Sequence, residues 1–209
     1  MKYNLSSFKA ILFDFDGVIL DSESYKIKAF KSLFLNVPDY VEQIDMYNKT
    51  HRGISRYKKF QYIYENILHK QYTQEVETEL SDSYKHALLT NLKNIPLIPG
   101  VKSFLEQQQC PLFIASSSNL DEIDIGLIKN KIKNNFVKVY GHPTEKIEAI
   151  QDVIQTVGIT PKQALFFGDA IADFDAAQKT GATFIARTST PEEFPNNVKY
   201  ILNFTDLLI

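Results

Sequence analysis

Four short apolar runs mark the chain: residues 10–15 (AILFDF), 112–115 (LFIA), 164–167 (ALFF) and 183–186 (TFIA). Each reads as a strand buried on both faces. Residues 136–140 (FVKVY) are a weaker fifth candidate. Between the later runs, residues 119–131, 145–157 and 171–180 carry helical patterns, with Thr144-Glu145 as a start signal for the second and Gly158 as its stop. Strands alternating with helices of that length predict βαβ units and a parallel sheet. Residues 22–95 break the pattern. Helices are expected there over 22–35, 40–49, 54–69 and 73–92, with no strand-like run. Tyr57, Phe60, Tyr64 and Ile67, three and four apart, form an apolar stripe on the third. Pro96 and Pro99-Gly100 punctuate the return to α/β. The expectation is an α/β domain, 1–21 with 96–209, interrupted after its first strand by an all-helical module, 22–95.

Composition narrows the function classes. Of 209 residues, 44% are hydrophobic and 23% charged, which excludes a disordered or fibrous chain. A net charge of −2 offers no basic field for nucleic acid. The lone cysteine, Cys110, allows no intramolecular disulfide and fits a reducing compartment. Set before Pro111, it reads as a small buried residue. Met1-Lys2-Tyr3-Asn4 opens no apolar leader, and no run approaches a membrane span. A cytoplasmic protein without nucleic-acid or membrane partners is therefore expected. The cations are uneven: arginine appears only as Arg52, Arg56 and Arg187, and lysine supplies the rest.

The chemistry lies in the acids. The first run ends Asp14-Phe15-Asp16-Gly17. Strand alternation points Asp14 and Asp16 the same way, and Gly17 lets the chain turn. A second pair, Asp169 and Asp173, follows the fourth run, four apart at a helix start. One such aspartate would be explained by helix capping. Two pairs at strand ends are different, because open α/β sheets bind ligands there. Clustered carboxylates repel unless a cation joins them, and an all-oxygen set suits Mg²⁺, which tends to bring a phosphate. Ser116, Ser117, Ser118 and Asn119 end the second run and open a helix, a natural phosphate contact. Lys146 opens another helix, where it opposes the macrodipole and calls for a nearby anion.

With these residues in place, the sequence resembles the haloacid dehalogenase superfamily, in particular its beta-phosphoglucomutase and phosphoglycolate phosphatase-like subgroup. Residues 14–22 (DFDGVILDS) resemble the first motif, Ser116 the second, Lys146 the third, and Gly168-Asp169 with Asp173 the fourth. The resemblance implies a Rossmann-like core and makes the helical module a cap domain. It implies that Asp14 is the nucleophile, forming an aspartyl-phosphate, and that Asp16 is the general acid and base. Mg²⁺ would be held by Asp14, the Asp16 carbonyl and Asp169, with Asp173 as a further ligand or support. Ser116, Ser117 and Lys146 would hold phosphoryl oxygens. Relatives often place a Gly-Lys-Pro where this chain has Gly141-His142-Pro143; Lys146 is preferred for that role, and His142 reads as a loop residue.

The cap segment His51-Arg52-Gly53-Ile54-Ser55-Arg56 resembles the one with which beta-phosphoglucomutase grips a non-transferring phosphate. Arg52, Ser55 and Arg56 are thus implied substrate contacts, with Lys26 beside them. Where the mutase has a histidine this chain has Lys26, which favours hydrolysis over isomerisation. The expected activity is Mg²⁺-dependent hydrolysis of a small phosphorylated metabolite, a sugar phosphate or sugar-acid phosphate. The alternatives are a phosphosugar mutase and a non-enzymatic phospho-receiver. The partner is then a small phosphorylated substrate, and the protein a monomer or weak homodimer.

Overall fold

Six strands form one parallel sheet in the order β3-β2-β1-β4-β5-β6. They are β1 (Ala10–Phe13), β2 (Leu112–Asn119), β3 (Lys138–His142), β4 (Ala164–Gly168), β5 (Thr183–Arg187) and β6 (Lys199–Ile201). The computed structural model describes residues 5–92 and 95–207. Residues 1–4, whose composition argued against a leader, lie outside the described residues. The chain divides into two compact units, Met1–Asp21 with Pro96–Ile209 and Ser22–Ile95.

In the first unit, strand alternation sends Ala10 and Leu12 to one face of the sheet. There they join Phe113, Phe166, Ala149, Ile150 and Val153, under α7 (Lys146–Val157) and α8 (Ile171–Thr180). Phe13 faces the other side. It stacks on Phe167 at 5.4 Å and meets Phe104 at 6.2 Å and Phe204 at 6.0 Å. Phe104 comes from α5 (Val101–Gln107). Each such phenylalanine contributes about 1.5–3 kcal/mol by burial. α6 (Leu120–Lys129) follows β2.

Three local expectations are corrected. β1 stops at Phe13, so the alternation argument does not reach Asp16. β2 continues through Ser116–Ser118 to Asn119, so those hydroxyls end a strand instead of opening a helix. His142 closes β3 and is not a loop residue. In addition, Cys110 is only half-buried, and burial pushes its thiol up.

The second unit is helical: α1 (Glu23–Ser32), α2 (Val41–Thr50), α3 (Arg56–Tyr62) and α4 (Gln74–Leu92). A π-helical turn, Ile63–Ile67, continues α3. Its core gathers Phe30, Phe34, Ile44, Phe60, Ile63 and Tyr84. Phe30 stacks on Phe60 at 5.3 Å and meets Tyr84 edge-on at 6.2 Å. Of the apolar stripe, Phe60 and Ile67 are buried and Tyr57 and Tyr64 half-buried. Among the described residues, no helix is long and apolar enough to cross a membrane.

Candidate active site

The carboxyl ends of β1 and β4 and the start of α7 bring four charged side chains together. Just past β1, the Asp14 amide still donates to the Phe167 carbonyl at 2.8 Å, which holds Asp14 beside the end of β4. β4 ends at Gly168, Asp169 follows, and Asp173 lies in the first turn of α8. A Cβ on Gly168 would stand 2.2 Å from the Asp173 Cβ, so the strand-to-helix turn closes this tightly only on glycine. Asp173 Oδ2 accepts from the Asp169 and Ala170 amides at 3.2 and 3.1 Å. An anion at a helix N-terminus gains from those exposed N–H groups.

Lys146, the first residue of α7, reaches into this cluster. Its Nζ donates to Asp14 Oδ2 at 2.9 Å and to Asp173 Oδ1 at 2.5 Å. Burial alone would lower its pKa, but Asp14 and Asp173 outweigh that and hold the ammonium well above its usual range. The anion that the helix-start position called for is therefore this pair of carboxylates. Burial pushes the Asp173 carboxyl up to about 6; Lys146 opposes the rise and Asp14 adds to it.

Asp14, Asp169 and Asp173 each offer a carboxylate oxygen within 4.8 Å of the others, and all three are buried. Three carboxylates against one ammonium leave excess negative charge in a desolvated place. A hard divalent cation would offset it, and the all-oxygen donor set fits such an ion. Within the set, Asp173 is held at both oxygens: one receives Lys146 and the other two backbone amides.

Asp16 stands outside this group of three. Its Oδ2 accepts from the Ser118 hydroxyl at 2.7 Å. The register that sets Phe13 beside Ile114 carries Ser116, Ser117 and Ser118 just past the end of β1. Ser116 is buried, Ser117 half-buried, and the Ser116 hydroxyl accepts from the Ser118 amide at 3.3 Å. Gly17 turns the chain with φ +74°, and a Cβ there would lie 2.2 Å from Asp169 Oδ2. The two motif segments thus touch through a glycine.

In the helical unit, Lys26 lies on α1. Arg52 Nε pairs with Glu23 Oε1 at 2.8 Å. Arg56 is buried, its guanidinium 4.3 Å from the centre of the Tyr84 ring and 6.0 Å from that of Tyr57. Ser55 precedes α3 without capping it, and its buried hydroxyl has no hydrogen-bond partner among the described residues.

A family model matches residues 11–187, and its description is haloacid dehalogenase-like hydrolase. The chain belongs to the haloacid dehalogenase-like hydrolase family. "Putative phosphatase YhcW" of Bacillus subtilis (strain 168) is 23% identical over 208 residues, covering 95% of this chain and 88% of that protein. A predicted phosphoglycolate phosphatase from Haemophilus somnus 129PT superposes with a TM-score of 0.75 at 19% identity, covering 98% of each chain. Beta-phosphoglucomutase from Clostridium difficile gives 0.77 at 18%, covering 97% of this chain and 94% of that one. At such identities the structural likeness establishes the fold alone.

In this haloacid dehalogenase-like hydrolase the structure adds to the sequence reading at two residues. Ser118 is one: read from the sequence only within a run of hydroxyls suited to phosphate, it donates its hydroxyl to the Asp16 carboxylate. The other is Lys59 of α3, buried in the helical unit, whose Nζ donates to Asn48 Oδ1 at 2.9 Å and to the Asn48 carbonyl at 3.3 Å. In a chain this rich in lysine, nothing local marks it out.

Proposed function

We propose that this hydrolase is a Mg²⁺-dependent phosphatase acting on a small phosphorylated metabolite, a sugar phosphate or sugar-acid phosphate. The observation that carries the reading is the buried cluster in which Lys146 bridges Asp14 and Asp173 beside Asp169. Asp14 and Asp169, with the Asp16 main-chain carbonyl, would hold the ion, and Asp173 would serve mainly to fix Lys146. The ion supplies charge neutralisation for the phosphoryl group.

The remaining chemistry falls to the chain. A carboxylate oxygen of Asp14 attacks phosphorus, and the bond from phosphorus to the leaving oxygen breaks. Asp16 gives that oxygen its proton. Asp16 then takes a proton from water, whose oxygen attacks the aspartyl-phosphate and frees Asp14 and inorganic phosphate. Lys146, Ser116 and Ser117 orient and neutralise the phosphoryl oxygens, which is most of what phosphoryl transfer requires. The Ser118 hydroxyl holds the Asp16 carboxyl in place.

The helical unit is proposed as the cap that selects substrate, through Lys26, Arg52, Ser55 and Arg56. The unpartnered Ser55 hydroxyl supports this, because a buried hydroxyl without a partner is costly until a ligand satisfies it. The test is phosphate release from p-nitrophenyl phosphate and a panel of sugar and sugar-acid phosphates, with and without Mg²⁺, beside an Asp14→Asn control. Activity no greater than the control across the panel would refute the reading. An isomerised sugar phosphate as product, stimulated by a bisphosphate, would replace it with a mutase.

A further inference from the structure

The third arginine, Arg187, ends β5, and its side chain joins two backbone segments. Nε donates to the Leu202 carbonyl at 3.0 Å, just past β6, and Nη1 donates to the Gly17 carbonyl at 3.2 Å. Gly17 is held at its other end too, where its amide donates to the Leu20 carbonyl at 2.8 Å. Within the loop the Ile19 and Leu20 amides both donate to the Phe15 carbonyl, at 2.9 and 3.0 Å, and its far end is held by the Ile98 amide, which donates to the Ile19 carbonyl at 2.9 Å. Arg187 is therefore an external tie on the turn that follows Asp16. The turn has little slack, since Gly17 backs directly on the Asp169 carboxylate. The Leu202 anchor is firm as well: its amide donates to Asp206 Oδ2 at 3.0 Å, and the nearby Phe204 amide donates to the Pro99 carbonyl at 3.0 Å.

We propose that Arg187 is a positioning residue for the active site, pinning the Gly17 turn so that Asp16 and Asp169 keep their places. Arginine suits the task. Its planar fork presents two donors in fixed geometry, remains charged at every working pH, and bridges carbonyls that a lysine could reach only one at a time. This assignment rests on the phosphatase reading of the site. A turn displaced by even a fraction of an ångström would misplace the acid relative to the leaving oxygen, and such errors are expensive in rate.

The experiment compares Arg187→Ala and Arg187→Lys with the wild-type chain in two assays. The first is amide hydrogen exchange at Gly17, Ile19 and Leu20, with the β1 and β4 amides as internal reference. The second is steady-state hydrolysis of p-nitrophenyl phosphate with Mg²⁺. In Arg187→Ala the three loop amides should exchange about tenfold faster while the sheet is unchanged, and kcat should fall about tenfold with KM within about twofold. Added guanidinium ion should restore part of kcat, and Arg187→Lys should fall between. Unchanged loop exchange overturns the proposal, as does faster exchange with unaltered kcat. A wild-type chain without phosphatase activity instead refutes the function proposed above, and loop exchange then decides the pinning by itself.

Discussion

Two buried lysines, one in each unit, are driven in opposite directions. Lys146 in the α/β unit sits between Asp14 and Asp173, and those carboxylates outweigh its burial and raise its pKa. Lys59 in the helical unit donates, among the described residues, to neutral acceptors, the Asn48 side chain and carbonyl, and lies 5.7 Å from the Phe30 ring centre. Burial, then the charges of Lys26 and Arg52, bring it down to about 7. Depth of burial is nearly equal for the two. What differs is the sign of the neighbouring charge. The first environment has an excess of anions and calls for a cation; the second has an excess of cations and suits an anion.

The comparison breaks most sharply at Lys146. Lys146→Met leaves two carboxylates buried without their cation, a change that costs roughly 3–5 kcal/mol when a buried pair is broken. Phosphatase activity should fall by about a thousandfold or more, as it should in Asp14→Asn, which removes the nucleophile. Chemical denaturation would separate the two. Lys146→Met should lower stability, whereas Asp14→Asn should disturb the fold far less because the amide keeps most of the shape. Equal stability loss in both would mean that the Lys146 bridge has no special weight.

Lys59 gives the converse test. Below about pH 7 the lysine is charged in both the folded and the unfolded chain, and the folded state bears the full cost of burying the charge. Between there and the ordinary lysine range, the unfolded chain holds a proton that the folded chain has released. Stability therefore rises with pH across that window, by up to about 1.4 kcal/mol per pH unit from this group. Lys59→Met removes the dependence. The difference in urea stability between wild type and variant should shift in favour of the wild type by about 2 kcal/mol from pH 7.5 to pH 9.5. A difference that stays constant with pH would show that Lys59 keeps an ordinary pKa.

How much of this was legible follows from how local each feature is. The strand runs and the acids at their ends are contiguous, so AILF before Asp14 and ALFF before Asp169 announced both halves of the site. The β1–β4 neighbourhood that joins them needed only the ordinary topology of an open parallel sheet. Lys146 was visible through an electrostatic conflict, a cation at a helix N-terminus. By contrast, β6 is three residues long, too short for any periodicity to register. The Arg187 tie to Gly17 and the Ser118 bond to Asp16 join residues 170 and 102 positions apart, and no spacing encodes them. Lys59 is defined by its surroundings alone. Arg56 shows the same limit from the other side: its rarity as a residue type marked it, but its burial against Tyr84 came only from the packing of α3 with α4.

Arg56 sets a smaller test of the cation-rich unit. If its guanidinium meets substrate, Arg56→Ala should raise KM for sugar-acid phosphates about tenfold while kcat changes little. Loss of the contact with Tyr84 should cost about 1–2 kcal/mol of stability. Arg56→Lys keeps the charge without the planar fork and should recover stability more than affinity. An unchanged KM in Arg56→Ala would confine the residue to packing.

The smallest expected effect belongs to Ser118, and it sharpens the anionic side of the comparison. Asp14 is fixed by a charged partner, Lys146, whereas the Asp16 carboxyl accepts from the neutral Ser118 hydroxyl. A neutral hydrogen bond contributes about 1 kcal/mol, so Ser118→Ala should lower kcat by about fivefold and leave KM near the wild-type value. Ser118→Thr keeps the hydroxyl and should restore most of that loss. The measurement is kcat for p-nitrophenyl phosphate in the three proteins. A threonine variant no better than alanine would mean that the size of the side chain, and not its donated hydrogen bond, governs the Asp16 position.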